Sequence, residues 1–256
     1  MDTIEGTLES QALERLREQE LEEARSIQRV MQPAGSLRTA GVTVSHEFQP
    51  VAHVGGDFLD YFELSDGKIG LYLGDVSGKG LPAAMYAALA VGTLRGVQKT
   101  GQSPGTVLTT LNNRLNIRGL PRRYVAIQYA VYDPARREMQ VASAGMAGPF
   151  VLSPGRCRAL NLCGVPPGLF AGSTYETHSM TLEPGDAVLF FSDGIPEAMN
   201  VEGESLGLDR LLALCEENCQ EADGELLARL FREAEHFGIG QGQHDDMAAA
   251  LFVCLG

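Results

Sequence analysis

Four short acidic motifs each set an aspartate at the end of an apolar stretch. They are Val54-Gly-Gly-Asp57, Leu73-Gly-Asp75-Val-Ser-Gly-Lys-Gly80, Phe190-Phe-Ser-Asp193-Gly-Ile195 and Gln243-His-Asp245-Asp246-Met247. They span about 190 residues of chain, so only folding unites them. Carboxylates converging without a cation repel; a pair about 5 Å apart costs roughly 3 kcal/mol at an effective dielectric of 20. A divalent cation reverses that sign, and an all-oxygen donor set suits Mg²⁺ or Mn²⁺. Taken singly, each aspartate reads as a turn residue or helix cap, because Asp beside Gly is common in turns. The four motifs in this order carry the metal reading.

The apolar stretches pin the acids. Ala187-Val-Leu-Phe-Phe191 reads as a buried strand whose side chains contribute roughly 6–12 kcal/mol on burial, and Asp193 follows it directly. By the same logic Asp75 follows Ile69-Gly-Leu-Tyr-Leu73, and Asp245 precedes the run Met247–Val253. The glycines from Gly74 to Gly80 invite a phosphate-loop reading, which fails. The spacing is one residue short of GxxxxGK, and Gly80 stands where the cation-binding Ser or Thr belongs. The glycines instead let the backbone turn tightly, so that Val76 offers its carbonyl to a cation beside Asp75. Lys79 keeps two readings, a phosphate contact or a solvated side chain.

The rest of the chain supplies the frame. A helix is expected from about Glu5 to Met31, with Leu13, Leu16, Ala24, Ile27 and Met31 near one face and Pro33 beyond its end. So narrow a stripe suits pairing with a second helix, as in a homodimer; the alternative is packing on its own domain. Strands are expected at Val42–Phe48, Phe58–Leu64, Ile69–Leu73, Tyr124–Tyr132, Glu138–Ser143, Phe150–Leu152, Tyr175–Leu182, Ala187–Phe191 and Met247–Leu255. Helices are expected at Leu81–Thr100, Pro104–Ile117, Leu208–Cys219 and Glu225–His236. Many strands with paired helices and no regular alternation point to an α+β fold of antiparallel sheets flanked by helices. Residues 1–33 form a helical linker or oligomerisation segment, and residues 40–256 one domain.

Composition sets limits on function. The 256 residues carry a formal charge of −13, which argues against binding nucleic acid through its phosphates. No apolar run is long enough to span a bilayer, and the acidic start is no signal region, so a cytoplasmic protein without membrane insertion is expected. Five cysteines form no CxxC pair and fit buried free thiols in a reducing compartment.

Taken together, the motifs resemble the SpoIIE/RsbU branch of the metal-dependent (PPM, type 2C) serine/threonine phosphatases. Val54–Asp60, Gly74–Ala84, Ser143-Ala-Gly145, Phe191–Asn200 and Asp245-Asp246 carry the resemblance, with Pro167-Gly-Leu-Phe170 beside them. Ala24–Pro33 looks like the helix that precedes such domains. The resemblance implies a two-sheet β-sandwich covered by helix pairs (αββα) and two Mn²⁺ or Mg²⁺ ions. In it Asp75 bridges the ions, the Val76 carbonyl completes one, Asp193 and Asp245 hold the second, and Asp57 lies beside the pair. Asp246 would buttress Asp245, and Asp60 would be a ligand or a support for one. The implied chemistry is direct attack by a metal-bridging water on a phosphoserine or phosphothreonine.

The implied partner is a STAS-domain anti-sigma-factor antagonist; the rival reading is a catalytically weak, phosphatase-like binding domain in a partner-switching system. The helices Leu81–Thr100 and Pro104–Ile117 are a candidate switch. Departures from the family pattern are Met146 for the usual His, and Ala126 and Ala248 for the usual Thr. His53 and His244 read either as acids flanking the site or as surface residues.

Overall fold

Strands that bury both faces read as continuous apolar runs, and the longest of them lie at the centres of two sheets. The computed structural model describes residues 2–39, 41–98, 101–219 and 224–255. One sheet has the order β1 (Leu37–Arg38), β2 (Val42–Gln49), β11 (Met247–Cys254), β10 (Ala187–Phe191), β7 (Phe150–Ser153), β8 (Arg156–Ala159). The other runs β3 (Phe58–Glu63), β4 (Ile69–Val76), β5 (Val125–Asp133), β6 (Glu138–Ala144), β9 (His178–Thr181). Every pairing is antiparallel.

Side chains alternate across each strand, so one run feeds two cores. From β10, Val188 and Phe190 enter the core between the sheets, where Leu71, Leu73 and Tyr132 meet them. Ala187, Leu189 and Phe191 face the other way, onto α4 (Leu208–Glu217) and α5 (Gly224–Phe237). Across the sandwich, Tyr72 and Val76 of β4 pack with Ala83, Ala87, Leu108 and Leu111 of α2 (Gly80–Val97) and α3 (Pro104–Asn116). The result is the expected αββα arrangement, preceded by α1 (Asp2–Arg29).

β4 runs farther than its apolar stretch, through Asp75 and Val76. Its two glycines explain this. Gly70 and Gly74 sit opposite Phe62 and Phe58 in the register, and a methyl at either would collide with the facing ring. The rings lie over the bare backbone and cover it, which lets the strand persist past Gly74. Other boundaries moved inward. Only His178–Thr181 of the expected Tyr175–Leu182 is strand, α4 stops short of Cys219, and α2 stops at Val97, with Thr100 outside the described residues. The short edge strands β1 and β8 had no apolar run to announce them.

Leu13, Leu16 and Ile27 of α1 are exposed, as is Val30 just beyond it. Gln28 is buried and Met31 is half-buried against the α2–α3 core. Among the described residues, no helix is long and apolar enough to cross a membrane. Cys157, Cys215, Cys219 and Cys254 are buried free thiols and Cys163 is exposed.

Candidate metal centre

The centre is built around Asp57, which is buried to 1% exposure in the turn leading into β3. One of its oxygens, Oδ2, has no hydrogen-bond partner. Burial, and then the neighbouring Asp75, push its carboxyl well above the usual carboxylate range, while a hydrogen bond from Ser192 opposes the shift. Asp75 lies at the end of β4, opposite Ala126. Its carboxyl is raised to about 7, first by burial and then by Asp193 and Asp245. Asp193 sits at the exposed rim, yet desolvation in the crowded cleft, then Glu197 and Asp245, raise it too. Four acids from four distant motifs thus act on one another.

Glycine makes the close approach possible. A Cβ on Gly56 would lie 2.8 Å from the Val76 carbonyl oxygen and 3.1 Å from Asp75 Oδ1. The Gly55 backbone presses on the Asp246 carboxylate just as tightly, so a side chain at either position would push the acids apart.

Asp246 does more than the expected buttressing of Asp245. Its carboxylate accepts from Val51 N (2.8 Å), Gly56 N (2.7 Å) and, more weakly, Asp57 N (3.4 Å). Its carboxylate therefore holds the Asp57 turn, while its own N–H donates to Asp245 Oδ1 at 3.0 Å. A second clamp grips the same turn. The buried Gln28 of α1 donates to Gly55 O (2.8 Å) and accepts from Gly55 N (3.1 Å). Nothing in the helical stripe marked Gln28, a polar residue beside the apolar Ile27.

Asp245 is half-buried, and Lys79 Nζ stands 2.9 Å from its Oδ2 while also donating to the His244 carbonyl. Lys79 is thus largely exposed, as in the solvated reading, but its ammonium is paired with Asp245 rather than held free for phosphate. Asp60 is not part of the centre. It pairs with Arg95 at 2.9 Å and accepts from the Tyr72 hydroxyl at 3.3 Å, and Arg95 also bonds the Met31 carbonyl. His53 and His244 are exposed. Met146 lines a cavity of about 360 Å³ together with Phe191, Asp193 and Glu197. A second cavity of about 340 Å³ is lined by Gly194, His244 and Met247.

Among the described residues no group of three or more His, Cys, Asp or Glu is clustered tightly enough to hold an ion as placed. The donor chemistry nevertheless fits one. Asp57 Oδ2 is buried and unpartnered, the acids raise one another, and a backbone carbonyl stands beside Asp75. These are hard oxygen donors short of positive charge, which Mg²⁺ or Mn²⁺ would satisfy.

Residues 65–253 match the family model described as Stage II sporulation protein E (SpoIIE). The chain is 26% identical to Protein IcfG of Synechocystis sp. (strain ATCC 27184 / PCC 6803 / Kazusa), over 89% of this chain and 40% of that protein. It is also 26% identical to Phosphoserine phosphatase RsbU of Bacillus subtilis (strain 168), over 71% of this chain and 54% of that protein. The chain therefore spans about half the length of these relatives, or less. In fold it is similar to the SiaA-PP2C domain of Pseudomonas aeruginosa, with a TM-score of 0.83 at 20% identity, covering 94% of this chain and 98% of that one.

Proposed function

Since this chain belongs to the SpoIIE family, with the PP2C fold, we propose that it is a metal-dependent phosphoprotein phosphatase acting on phosphoserine or phosphothreonine. The observation that carries the reading is the buried, unpartnered Asp57 carboxylate set against Asp75 and the Val76 carbonyl. Asp57, Asp75, the Val76 carbonyl, Asp193 and Asp245 would hold two Mn²⁺ or Mg²⁺ ions. When bound, such a pair supplies a water acidified toward neutral pH for in-line attack on phosphorus. Asp246 and Gln28 keep the Asp57 turn in place through five hydrogen bonds, so the position of Asp57 is fixed before substrate arrives. Asp193, at the rim of the cavity it shares with Met146 and Glu197, is where a phosphorylated segment would enter.

The proposed substrate is a STAS-domain antagonist, in keeping with the family and with a relative named as a phosphoserine phosphatase. A cytoplasmic location belongs to the same proposal. So does a division into residues 1–33, which pair between subunits, and a phosphatase domain over 40–256. Support for coupling the two comes from Gln28 and from the Arg95–Met31 bond, which tie the end of α1 to the Asp57 turn and to α2.

Mn²⁺-dependent hydrolysis of 4-nitrophenyl phosphate is expected to vanish in Asp193→Asn while circular dichroism shows the fold retained. Equal activity in variant and parent would remove Asp193 from the mechanism. The rival reading, a binding domain without turnover, draws on Lys79, whose ammonium already neutralises Asp245. Absence of Mn²⁺ uptake in calorimetry would favour it.

A further inference from the structure

Charge is divided unevenly along this chain. Residues 76–132 hold seven of its 20 lysines and arginines and none of its 33 aspartates and glutamates. All the acid therefore lies elsewhere, and most of the surface repels anions. Within the segment, Lys79 and Arg95 are paired with Asp245 and Asp60, and the Arg123 guanidinium is turned onto the Ser77 carbonyl. Arg114, Arg118 and Arg122 are exposed and make no ion pair among the described residues.

Of these, Arg122 stands beside the acidic centre, and Arg118 lies four residues before it in the same exposed loop. Ser77, the residue after Val76, donates its hydroxyl to the Arg122 carbonyl at 3.1 Å and accepts from Tyr124 N at 3.1 Å. Arg122 has φ +64°, a left-handed conformation that glycine adopts without steric cost. The same loop is stitched to the segment around Phe170. Val125 N donates to Pro167 O at 2.9 Å, and the buried Asn112 binds both Gly168 N and Phe170 O. Phe170 is 61% exposed, and Ile117 and Leu120 are exposed beside the arginines in sequence. Arginine interleaved with exposed aromatic and aliphatic side chains is the composition of a protein-binding surface.

Building on the phosphatase reading, we propose that this face, centred on Arg118, Arg122 and Phe170, docks the phosphoprotein substrate, and that the substrate is acidic around its phosphorylated residue. The argument is charge complementarity: an acidic partner is turned away by the remaining surface and steered to the basic face that borders Asp75 and Val76.

The test uses two fluorescein-labelled phosphoserine peptides, one flanked by glutamates and one by lysines, with 4-nitrophenyl phosphate as control. The parent is expected to bind and cleave the acidic peptide better, on the order of tenfold at low salt, with the preference shrinking as salt rises. The double variant Arg118→Glu/Arg122→Glu is expected to reverse the preference through KM and to leave 4-nitrophenyl phosphate turnover unchanged. Arg122→Gly should melt no lower than the parent yet lose part of the preference; a purely conformational role for Arg122 would leave the preference intact. A parent indifferent to peptide charge, or a double variant that keeps the acidic preference, overturns the proposal. Failure of 4-nitrophenyl phosphate hydrolysis would count against the phosphatase reading instead. Fluorescence anisotropy of the peptides in chelator would still decide the docking face.

Discussion

On one side of the candidate metal centre, Asp57 and Asp75 sit on a buried turn and the end of a central strand, with backbone N–H groups and glycines fixing their places. On the other side, Asp193 and Asp245 lie at the rim, where Lys79 reaches one of them through a long, half-exposed side chain. The buried pair carries most of the electrostatic cost, since water does not screen it and Asp57 Oδ2 has no donor. At the rim, Asp193 is exposed though partly desolvated by the cleft, and the half-exposed Asp245 can exchange partners cheaply. On the proposed reading, the inner half has the greater need of a cation and the outer half is the side that substrate would meet.

The largest expected effect breaks the inner half. Asp57→Asn should lower Mn²⁺-dependent hydrolysis of 4-nitrophenyl phosphate on the order of a thousandfold, the equivalent of several kcal/mol of charge stabilisation. In chelator the same variant should melt above the parent, because a desolvated charge is gone, whereas Asp245→Asn should not. Equal melting shifts for the two variants would erase the contrast between the halves.

Next comes the clamp. Gln28→Ala removes both bonds to Gly55 and should weaken Mn²⁺ binding about 10–100-fold, in the range for residues that orient ligands. It should also cost about 1–3 kcal/mol in urea unfolding. Gln28→Glu keeps an acceptor for Gly55 N but loses the donor to Gly55 O, so it should not rescue binding. Unaltered Mn²⁺ affinity in Gln28→Ala would show that α1 does not set the Asp57 turn.

The smallest effect is a pH dependence. Asp75 is raised from 3.8 to about 7 in the fold, so the folded state holds its proton over a window where the unfolded chain has released it. Its contribution to stability is present below pH 4 and is lost as pH rises toward 7. In chelator, Asp75→Asn should therefore melt increasingly above the parent across that window, by roughly several degrees at its upper end. A constant difference would show that the Asp75 carboxyl is not perturbed.

The strands flanking Asp193 and Asp245 were legible because both their faces are buried, which turns β10 and β11 into unbroken apolar runs next to an acid. The same reading missed β8, where only Cys157 is buried, and overextended β9, whose side chains are mostly exposed. The aspartates were recognisable from their motifs, but not the partners that fix them. Gln28 meets Gly55 from 27 residues away, and Asp246 meets Gly56 from 190. No periodicity encodes such contacts. Asp60 was drawn toward the centre by its nearness in sequence to Asp57, yet strand alternation turns it to Arg95 and Tyr72 instead.

The most direct measurement is calorimetric titration of Mn²⁺ into the chelator-stripped protein near pH 7. Uptake of about two ions per chain, with proton release as the raised carboxyls ionise, is the predicted result. Heats indistinguishable from dilution, in protein shown to be folded, would contradict the account at its centre.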